Sequence, residues 1–498
     1  MSTESPENVL FVVMDTVRKD RLTPYGYDRP TTPHLADFAE EATVFEQAVA
    51  PAPWTLPVHA SLFTGLYPSQ HGADQENPYL EGATTLAETL SAAGYDTACY
   101  SSNAWITPYT HLTDGFDDQD NFFEVMPGEF LSGPLARAWK TMNDNESLRT
   151  VADKLVSLGN TAHEYFAGGD TADSKTPAVI DRTMEFVDDA DRSFAFINLM
   201  DAHLPYHPPE EFAAEFAPGV DSADVCQNSK EYNSGARDID DDEWDDIRGL
   251  YDAEVAHIDD QLGRLFDWLK AAGKWDDTMV VVCADHGELH GEHDLYGHEF
   301  CVYDPLINVP LLVKHPDLDA DRREDQVELL DLYHTVLDVL DVSGEAADGA
   351  VPLDPTRSLV ADDYRAFDGL ADADRDPGQR GDGAYAFVEY SRPVVELTQL
   401  EEKATGAGIE LPKESRFYSR IDRIDDEAFR LDTDPGEIDN LAGGDDPAIG
   451  QTEAVLSAFE SAAGGAWTDA LDDDVSDDAV EEMDDEAQER LRDLGYLE

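Results

Sequence analysis

The segment Ala52-Pro53-Trp54-Thr55-Leu56-Pro57-Val58-His59-Ala60-Ser61-Leu62-Phe63-Thr64-Gly65 is the stretch around which the rest of the chain is organised. Small and apolar residues run from Thr55 to Thr64-Gly65, which is typical of a helix that ends at the glycine. Proline suits a first helical turn because its missing N–H has no partner there, and the free N–H groups of that turn attract anions. Thr55 is therefore a candidate nucleophile at the mouth of a helix, and a structural N-cap is the alternative.

A carboxylate follows the first apolar run of the chain. Val9–Met14 is unbroken by polar residues and ends in Asp15, and such runs are typical of central strands in a parallel sheet that is covered on both faces. Open α/β sheets bind ligands at the carboxyl ends of these strands. We therefore expect an α/β fold in which Asp15 faces the ligand crevice, and simple capping of the next turn is the alternative.

Two more predicted strands end in polar residues. Asn103 follows the strand Tyr95–Tyr100, where loop geometry alone could also favour an asparagine. Asp201 and His203 follow the buried strand Ser193–Met200. Since residues two apart in an extended segment point to the same side, Asp201 and His203 are expected to share one pocket.

The densest group of potential metal ligands follows the strand Thr278–Ala284. Asp285 and His286 end that strand, and Gly287 relaxes the turn after it. Oxygen and imidazole ligands without thiolate suit Mg²⁺, Ca²⁺, Mn²⁺ or Zn²⁺. Three further histidines could be ligands or could bond to loop carbonyls: His290, His293 and His298.

The remaining pattern divides the chain into three parts. Residues 1–345 are expected to form a catalytic domain, residues 346–383 a linker or insertion, and residues 384–498 a small α+β subdomain with an acidic tail helix. Pro310 predicts an edge position or a bulge for the strand Ile307–Val313. Further helices are predicted at 32–41, 86–93, 178–188, 246–272, 328–340, 449–463 and 479–494, further strands at 44–49, 384–390, 416–422 and 428–432, and a less periodic insertion at about 120–175.

Acidic residues dominate the charge of the chain. There are 109 Asp and Glu against 33 Lys and Arg, and the net charge is −76 at pH 7. Nucleic-acid binders need basic stripes, so no nucleic-acid partner is expected. At molar salt the Debye length falls to about 3 Å, so that self-repulsion on this scale becomes tolerable. The composition resembles that of proteins from salt-accumulating halophiles and predicts a need for molar salt.

The cysteines and the N-terminus bear on location. Four cysteines are scattered without a C-x-x-C pair, which indicates neither a disulfide framework nor a thiolate metal site. The N-terminal residues are polar and acidic, and no signal-like segment or run of 18 apolar residues is present. We therefore expect a cytoplasmic protein without a membrane span, and the sequence does not predict an oligomeric state.

Several motifs follow one another in a recognisable order. They are Asp15, Thr55-x-Pro57-x-His59, Leu66-Tyr67-Pro68-x-x-His71-Gly72, Met200-Asp201-x-His203-x-Pro205-Tyr206, Asp285-His286-Gly287-Glu288 and Leu431-Asp432-Thr433-Asp434-Pro435-Gly436-Glu437. The combination resembles sulfatase-like members of the alkaline phosphatase superfamily and covers nearly the whole chain. The resemblance implies an alkaline-phosphatase-like three-layer sandwich with a central, mostly parallel sheet and a divalent cation at the carboxyl ends of the strands.

The resemblance also implies roles for individual residues. The expected metal ligands are Asp15, Asp285 and His286, with Thr55 touching the metal and Thr16 in the place of a second acid. His203 would contact the non-bridging oxygens or the leaving group of a substrate, and His298 stands where many relatives have a lysine. The expected catalytic residues are Thr55, His59, His203 and His298, and the expected substrate contacts are Asn103, Asp201 and His203.

The nucleophile motif departs from that of true sulfatases. These carry Cys or Ser in a C/S-x-P-S/A-R motif and convert it to formylglycine, whereas Thr55, Val58 and His59 stand at the corresponding positions here. A threonine cannot become formylglycine, so the departure favours relatives with a threonine nucleophile.

The combined prediction is a metal-dependent hydrolase of the halophilic archaeal type that acts on a small-molecule or glycan ester. Phosphodiesters and phosphonate esters are favoured over sulfate esters. Two alternatives stay open: a transferase that hands a phospho-alcohol group to a glycan or lipid, and a non-catalytic relative that binds an anionic glycan.

Overall fold

A central eight-stranded sheet forms the core of the computed structural model. The structure describes residues 8–75, 77–122, 174–315, 320–347, 349–361, 385–390, 397–411 and 427–463, and the single residues 6, 318 and 364. The strands are β1 (Asn8–Met14), β2 (Thr43–Val49), β3 (Asp96–Ser101), β4 (Asp118–Asn121), β5 (Ser193–Leu199), β6 (Thr278–Cys283), β9 (Asn308–Lys314) and β10 (Arg322–Glu328). Two short strands, β7 (Leu289–His290) and β8 (Tyr296–Gly297), form a separate hairpin. Across the main sheet the order is β10-β2-β9-β6-β1-β5-β3-β4.

One strand runs against all the others. β9 is antiparallel to its neighbours β2 and β6, and every other pair in the sheet is parallel. The edge position considered for Pro310 is wrong, because β9 is an interior strand, but the bulge is confirmed. The β2–β9 register passes from Phe45 opposite Leu311 to Ala48 opposite Val309, so two residues of β2 face Pro310, which has no N–H to donate.

Helices cover the sheet, in which every residue of β1, β5, β6 and β9 is buried. Strands buried on both faces are those of a layered α/β fold, so the predicted mostly parallel sheet between helices is confirmed. The helices are α1 (Pro33–Ala39), α2 (Thr55–Thr64), α3 (Pro68–His71), α4 (Leu86–Ala92), α5 (Thr176–Asp189), α6 (Glu210–Phe216), α7 (Ser229–Asn233), α8 (Asp241–Ala272), α9 (Asp304–Ile307), α10 (Asp331–Val339), α11 (Leu397–Gly406) and α12 (Pro447–Ala463).

The two edge strands were not predicted. β4 has the sequence DQDN, and its two middle residues are exposed. β10 has the sequence RREDQVE, and only its last two residues are buried. Edge strands that face water carry charged residues instead of an apolar run, so periodicity does not reveal them. The helix predicted to begin at Glu328 begins at Asp331, because Glu328 still pairs with Val49 as the last residue of β10.

The strands predicted at 384–390 and 428–432 are wrong. The described residues of Ala384–Tyr390 and of Ala428–Asp432 form no strand. In the first segment, the N–H of Phe387 donates to Glu328 Oε1 and that of Glu389 to the Pro51 carbonyl. Each of these N–H groups bonds to a different group of the larger domain, so the two bonds do not form the regular hydrogen-bond ladder of a strand pair. The strand predicted at 416–422 and the helix at 479–494 lie outside the described residues, and the division into domains stays a prediction.

The helix predicted at 449–463 is confirmed as α12. Its Val455 and Phe459 pack with Tyr67, Leu330 and Phe387 in a small apolar cluster, which joins the C-terminal part to the sheet domain. Within the described part of the chain, no helix combines the length and the apolar character needed to cross a bilayer.

Candidate active site

The carboxyl ends of adjacent strands β1 and β6 bring three predicted metal ligands together. Asp15, Asp285 and His286 each offer a ligand atom, and these atoms lie within 4.8 Å of one another. All three side chains are fully buried. Strands that run in the same direction end at the same edge of a sheet, which is why residues 270 positions apart meet there.

The three residues fit a divalent cation. Asp15 Oδ1, Asp285 Oδ2 and His286 Nε2 are all buried and have no hydrogen-bond partner in the described structure. The Nδ1–H of His286 donates to the Gly287 carbonyl, 3.0 Å away, so its Nε2 lone pair is free to bind a metal. Two carboxylate oxygens and an imidazole nitrogen suit Zn²⁺, Mn²⁺ or Mg²⁺, and buried polar atoms without partners need such a ligand.

Two asparagine amides orient Asp15. Its Oδ2 accepts from Asn103 Nδ2 at 2.8 Å and from Asn198 Nδ2 at 3.1 Å, which turns Oδ1 away from both amides. Asn103 was expected to contact a substrate, and the structure places it on the carboxylate. Asn198 was missed, although a polar residue inside the otherwise apolar strand β5 is a usable signal.

Asp285 is held by backbone N–H groups. Its Oδ1 accepts from the N–H of His286 at 2.9 Å and from that of Thr16 at 3.2 Å. Burial, and then the nearby charge of Asp15, raise the pKa of Asp285 well above its ordinary value. The Thr16 hydroxyl, a predicted metal ligand, donates to the Asp15 carbonyl at 2.7 Å.

Thr55 is the first residue of α2 and lies beside this cluster. The Asn103 amide that donates to Asp15 also lies 3.4 Å from Thr55 Oγ1. Trp54 offers no side-chain cap to the helix, and Gly65 ends it at φ 69°. A Cβ on Gly65 would lie 2.7 Å from the Tyr333 ring, so close packing as well as conformation requires the glycine. The predicted helix and its two ends are confirmed.

His59 lies inside the helix layer. Its Nδ1–H donates to the Thr55 carbonyl at 2.8 Å, and its ring packs edge-on against Phe63 and Phe196. Its Nδ1 is 3.8 Å from Asp285 Oδ2. Burial lowers the pKa of His59 to about 4, so the ring is neutral at pH 7. These contacts suit a residue that supports Thr55 better than one that exchanges a proton with a substrate.

His203 and His298 stand together next to the candidate metal ligand His286. The His298 ring centroid is 4.5 Å from that of His286 and 5.5 Å from that of His203. His298 Nδ1 lies 3.0 Å from Glu288 Oε1, and its Nε2 has no hydrogen-bond partner in the described structure. Burial lowers the pKa of His298 to about 4 and raises that of Glu288 to about 8.

Glu288 was present in the quoted motif but was given no role. Its carboxyl group is fully buried and orients His298, which only the fold brings within reach. The turn before it requires Gly287, because a Cβ there would lie 2.0 Å from the Pro305 carbonyl oxygen. The signal for Glu288 was an acidic residue two positions after His286, and the residue that it contacts could not be predicted from spacing.

Asp201 points toward two helices. Its Oδ2 accepts from the Thr176 hydroxyl of α5, and its Oδ1 lies 3.7 Å from His257 Nε2 of α8. The His203 ring packs on His298, so the two residues have different surroundings although they are two positions apart. The segment after β5 is a turn, and the alternation of an extended strand no longer applies there.

The other histidines of the cluster have structural partners. His290 Nε2 lies 3.0 Å from the Tyr206 hydroxyl, and burial lowers the pKa of His290 well below its ordinary value. The His293 ring stacks on Tyr303 at 3.6 Å between centroids. These contacts are with tyrosine side chains, and a role of His290 or His293 as a ligand stays a prediction.

The chain is similar to several known proteins. The multifunctional alkaline phosphatase superfamily protein PehA of Trinickia caryophylli is 26% identical over 508 residues, which cover 89% of this chain and 92% of that protein. The choline-sulfatase of Rhizobium meliloti (strain 1021) is 24% identical over 488 residues, 94% of this chain and 88% of that protein. The crystal structure of the phosphonate monoester hydrolase of Agrobacterium radiobacter has the same fold, with a TM-score of 0.61 and 21% identity, over 92% of this chain and 96% of that one.

A family model also matches most of the sheet domain. The model is that of the sulfatases, and it matches residues 7–342, about two thirds of the chain. The matched range holds all three candidate metal ligands, the candidate nucleophile and both histidines beside them. The chain therefore belongs to the sulfatase family of the alkaline phosphatase superfamily.

Proposed function

We propose that this sulfatase-family hydrolase cleaves phosphate or sulfate esters with Thr55 as the nucleophile, and that it prefers phosphodiesters or phosphonate esters. The observation that carries the proposal is the position of the Thr55 hydroxyl, which shares the Asn103 amide with the candidate metal ligand Asp15. Threonine cannot be converted to formylglycine, the group that true sulfatases use. The relative PehA is named as a multifunctional protein of the alkaline phosphatase superfamily, and this likeness supports the proposal that the present chain acts on more than sulfate esters.

The residues of the site divide the chemistry among them. A divalent cation held by Asp15, Asp285 and His286 would neutralise charge on the transferring group and lower the pKa of the Thr55 hydroxyl. Thr55 Oγ1 gives up its proton to solvent and forms the new bond to phosphorus or sulfur, and the ester oxygen leaves with the electron pair of the broken bond and takes up a proton from solvent. Water then cleaves the phospho- or sulfo-threonine and restores the hydroxyl. We expect His203 and His298, whose rings pack together, to contact the non-bridging oxygens or the leaving oxygen, and the N–H groups at the start of α2 to favour the anion.

A substrate panel tests this function. The purified protein in molar KCl is given nitrophenyl sulfate, phosphate monoester, phosphodiester and phosphonate ester, before and after chelation and with Mn²⁺ or Zn²⁺ added back. We expect turnover of the diester or the phosphonate ester to exceed that of the sulfate, to disappear on chelation and to return with metal. Failure on all four substrates with metal demonstrably bound would contradict hydrolysis and favour the anion-binding alternative.

We also propose that the protein needs molar salt to be stable and active. With a net charge of −76, the folded chain repels itself in dilute buffer, and added ions screen that repulsion. We expect Tm to rise by at least about 10 °C between about 0.1 and 3 M KCl. Sucrose stabilises proteins by exclusion without screening, so its effect should be smaller. A Tm that stays constant in KCl would refute the halophilic assignment. The cytoplasmic location is a separate prediction, which this experiment does not address.

A further inference from the structure

The loop after β1 turns through a threonine in the left-handed region. Thr16 has φ 56° and is fully buried. This conformation is rare for residues other than glycine and is strained for a β-branched side chain, so it persists only where surrounding contacts impose it. Strain of this kind concentrates at functional sites, and Thr16 stands directly after the candidate metal ligand Asp15.

The left-handed turn connects the carboxylate of Asp285 to the backbone of Asp15. The N–H of Thr16 donates to Asp285 Oδ1 at 3.2 Å, and its hydroxyl donates to the Asp15 carbonyl at 2.7 Å. With the His286 N–H also on Asp285 Oδ1, that oxygen has two donors and Oδ2 has none in the described structure. The Thr16 conformation therefore decides which oxygen of Asp285 is free for a metal.

A tyrosine hydroxyl from α8, 235 positions later in the sequence, holds this turn. Tyr251 of α8 is fully buried, and its hydroxyl donates to the Thr16 carbonyl at 2.8 Å and accepts from the Arg18 N–H at 2.8 Å. One hydroxyl thus satisfies a backbone acceptor and a backbone donor on the two sides of Val17. Burial raises the pKa of the Tyr251 phenol, so it keeps the proton that it donates.

We infer that the Tyr251 hydroxyl is a positioning group of the metal site. This hydroxyl holds Thr16 in the left-handed region and thereby orients the Asp285 carboxylate. The inference rests on the metal site of the proposed function. It adds a residue of α8, 34 positions before Asp285, whose hydroxyl bonds to the backbone of Thr16 and Arg18.

A pair of matched variants tests the inference. Tyr251→Phe keeps the ring and removes the hydroxyl. Tyr206→Phe is the control, because Tyr206 is equally buried, its ring centroid is 5.5 Å from that of Tyr251, and its hydroxyl bonds to His290 instead of the loop. Chelator-treated proteins are titrated in molar KCl with Mn²⁺ alone and with Zn²⁺ alone. We expect Tyr251→Phe to raise Kd by about 10- to 100-fold and Tyr206→Phe to stay within about threefold, although both lower Tm.

A rescue variant separates positioning from a general loss of stability. Adding Thr16→Gly to Tyr251→Phe should bring Kd back to within about threefold of the wild type, because glycine adopts a positive φ without strain. Equal losses of affinity in both tyrosine variants, or no recovery in the double variant, would overturn the inference. If the single variant does not fold, the double variant alone decides the matter by its Kd.

The outcomes also separate this inference from the proposed function. A wild-type protein that binds neither metal refutes the metal site and the inference with it. A wild-type protein that binds metal and hydrolyses no ester refutes the function, and the comparison of Tyr251→Phe with Tyr206→Phe remains decisive for the inference. Wild-type metal affinity in Tyr251→Phe refutes the inference alone.

Discussion

Replacing Thr55 by alanine is expected to lower kcat at least about 10³-fold on the best ester of the panel, because the bond-forming hydroxyl is removed. The fold should survive, since Thr55 begins α2 without capping it through its side chain and alanine is a good helix former. Thr55→Ser keeps a hydroxyl at the same place and should retain turnover to within about tenfold. The measurement is steady-state turnover in molar KCl with saturating metal, together with Tm.

Thr64 provides the matched control on the same helix. It is equally buried, and its hydroxyl donates to the Ala60 carbonyl at 2.7 Å, at the end of α2 away from the metal ligands. Thr64→Ala should lower stability by about 1 kcal/mol and leave kcat within about twofold. Turnover by Thr55→Ala near the wild-type rate would eliminate Thr55 as the nucleophile, and equal losses in both variants would indicate damage to the helix.

Replacing Asp285 by asparagine is expected to have opposite effects on stability with and without metal. Without metal, the fully buried carboxylates of Asp15 and Asp285 repel each other, and Asp285 also carries the desolvation cost that raises its pKa. Asparagine removes that charge, keeps an acceptor for the N–H groups of Thr16 and His286, and can donate toward His286 Nε2, which lies 3.5 Å from Oδ2. We therefore expect the metal-free variant to gain about 1–2 kcal/mol of stability over the metal-free wild type.

With metal the order reverses. One of the two anionic ligands is lost, so Kd for Mn²⁺ or Zn²⁺ should rise at least about 100-fold, and the stabilisation that bound metal confers should shrink accordingly. Melting curves in chelator and in excess metal would show the two Tm values crossing, with turnover reduced at least about 10³-fold.

Asp252 is the control for a buried aspartate outside the site. Its Oδ2 accepts from Arg29 at 2.5 Å and from the Tyr27 hydroxyl at 2.8 Å, so Asp252→Asn should lower Tm to the same extent in both conditions. If Asp285→Asn followed that pattern, Asp285 would be a structural carboxylate and the metal site would need other ligands.

Much of the site could be predicted because strand ends are visible in sequence. Val9–Met14 and Thr278–Ala284 are apolar runs that stop at Asp15 and Asp285, and parallel strands in one sheet end at one edge. The helix that carries Thr55 was equally clear, since proline in the first turn and a terminal glycine mark its ends.

What could not be predicted depends on contacts between distant residues. Asp201 and His203 stand two apart in sequence and face different neighbours, because a turn replaces the strand there. The exposed edge strands β4 and β10 lack an apolar run. The segment at 385–390, which looked like a strand, gives the N–H groups of Phe387 and Glu389 to the larger domain instead.

The sequence by itself determined the class of fold, the strand-end positions of the candidate ligands Asp15, Asp285 and His286, and a threonine where formylglycine sulfatases have cysteine or serine. The fold class and the strand-end positions follow from local patterns, since hydrophobic periodicity and the residue after a strand are properties of neighbouring positions, and the meaning of the threonine follows from the resemblance to sulfatases. Only the tertiary structure decided what the helix of Thr55 faces and how each ligand is oriented. Asn103 joins Thr55 to Asp15, Glu288 orients His298, and the Tyr251 hydroxyl holds the turn at Thr16, because hydrogen bonds between residues far apart in sequence form only once the sheet has brought them together.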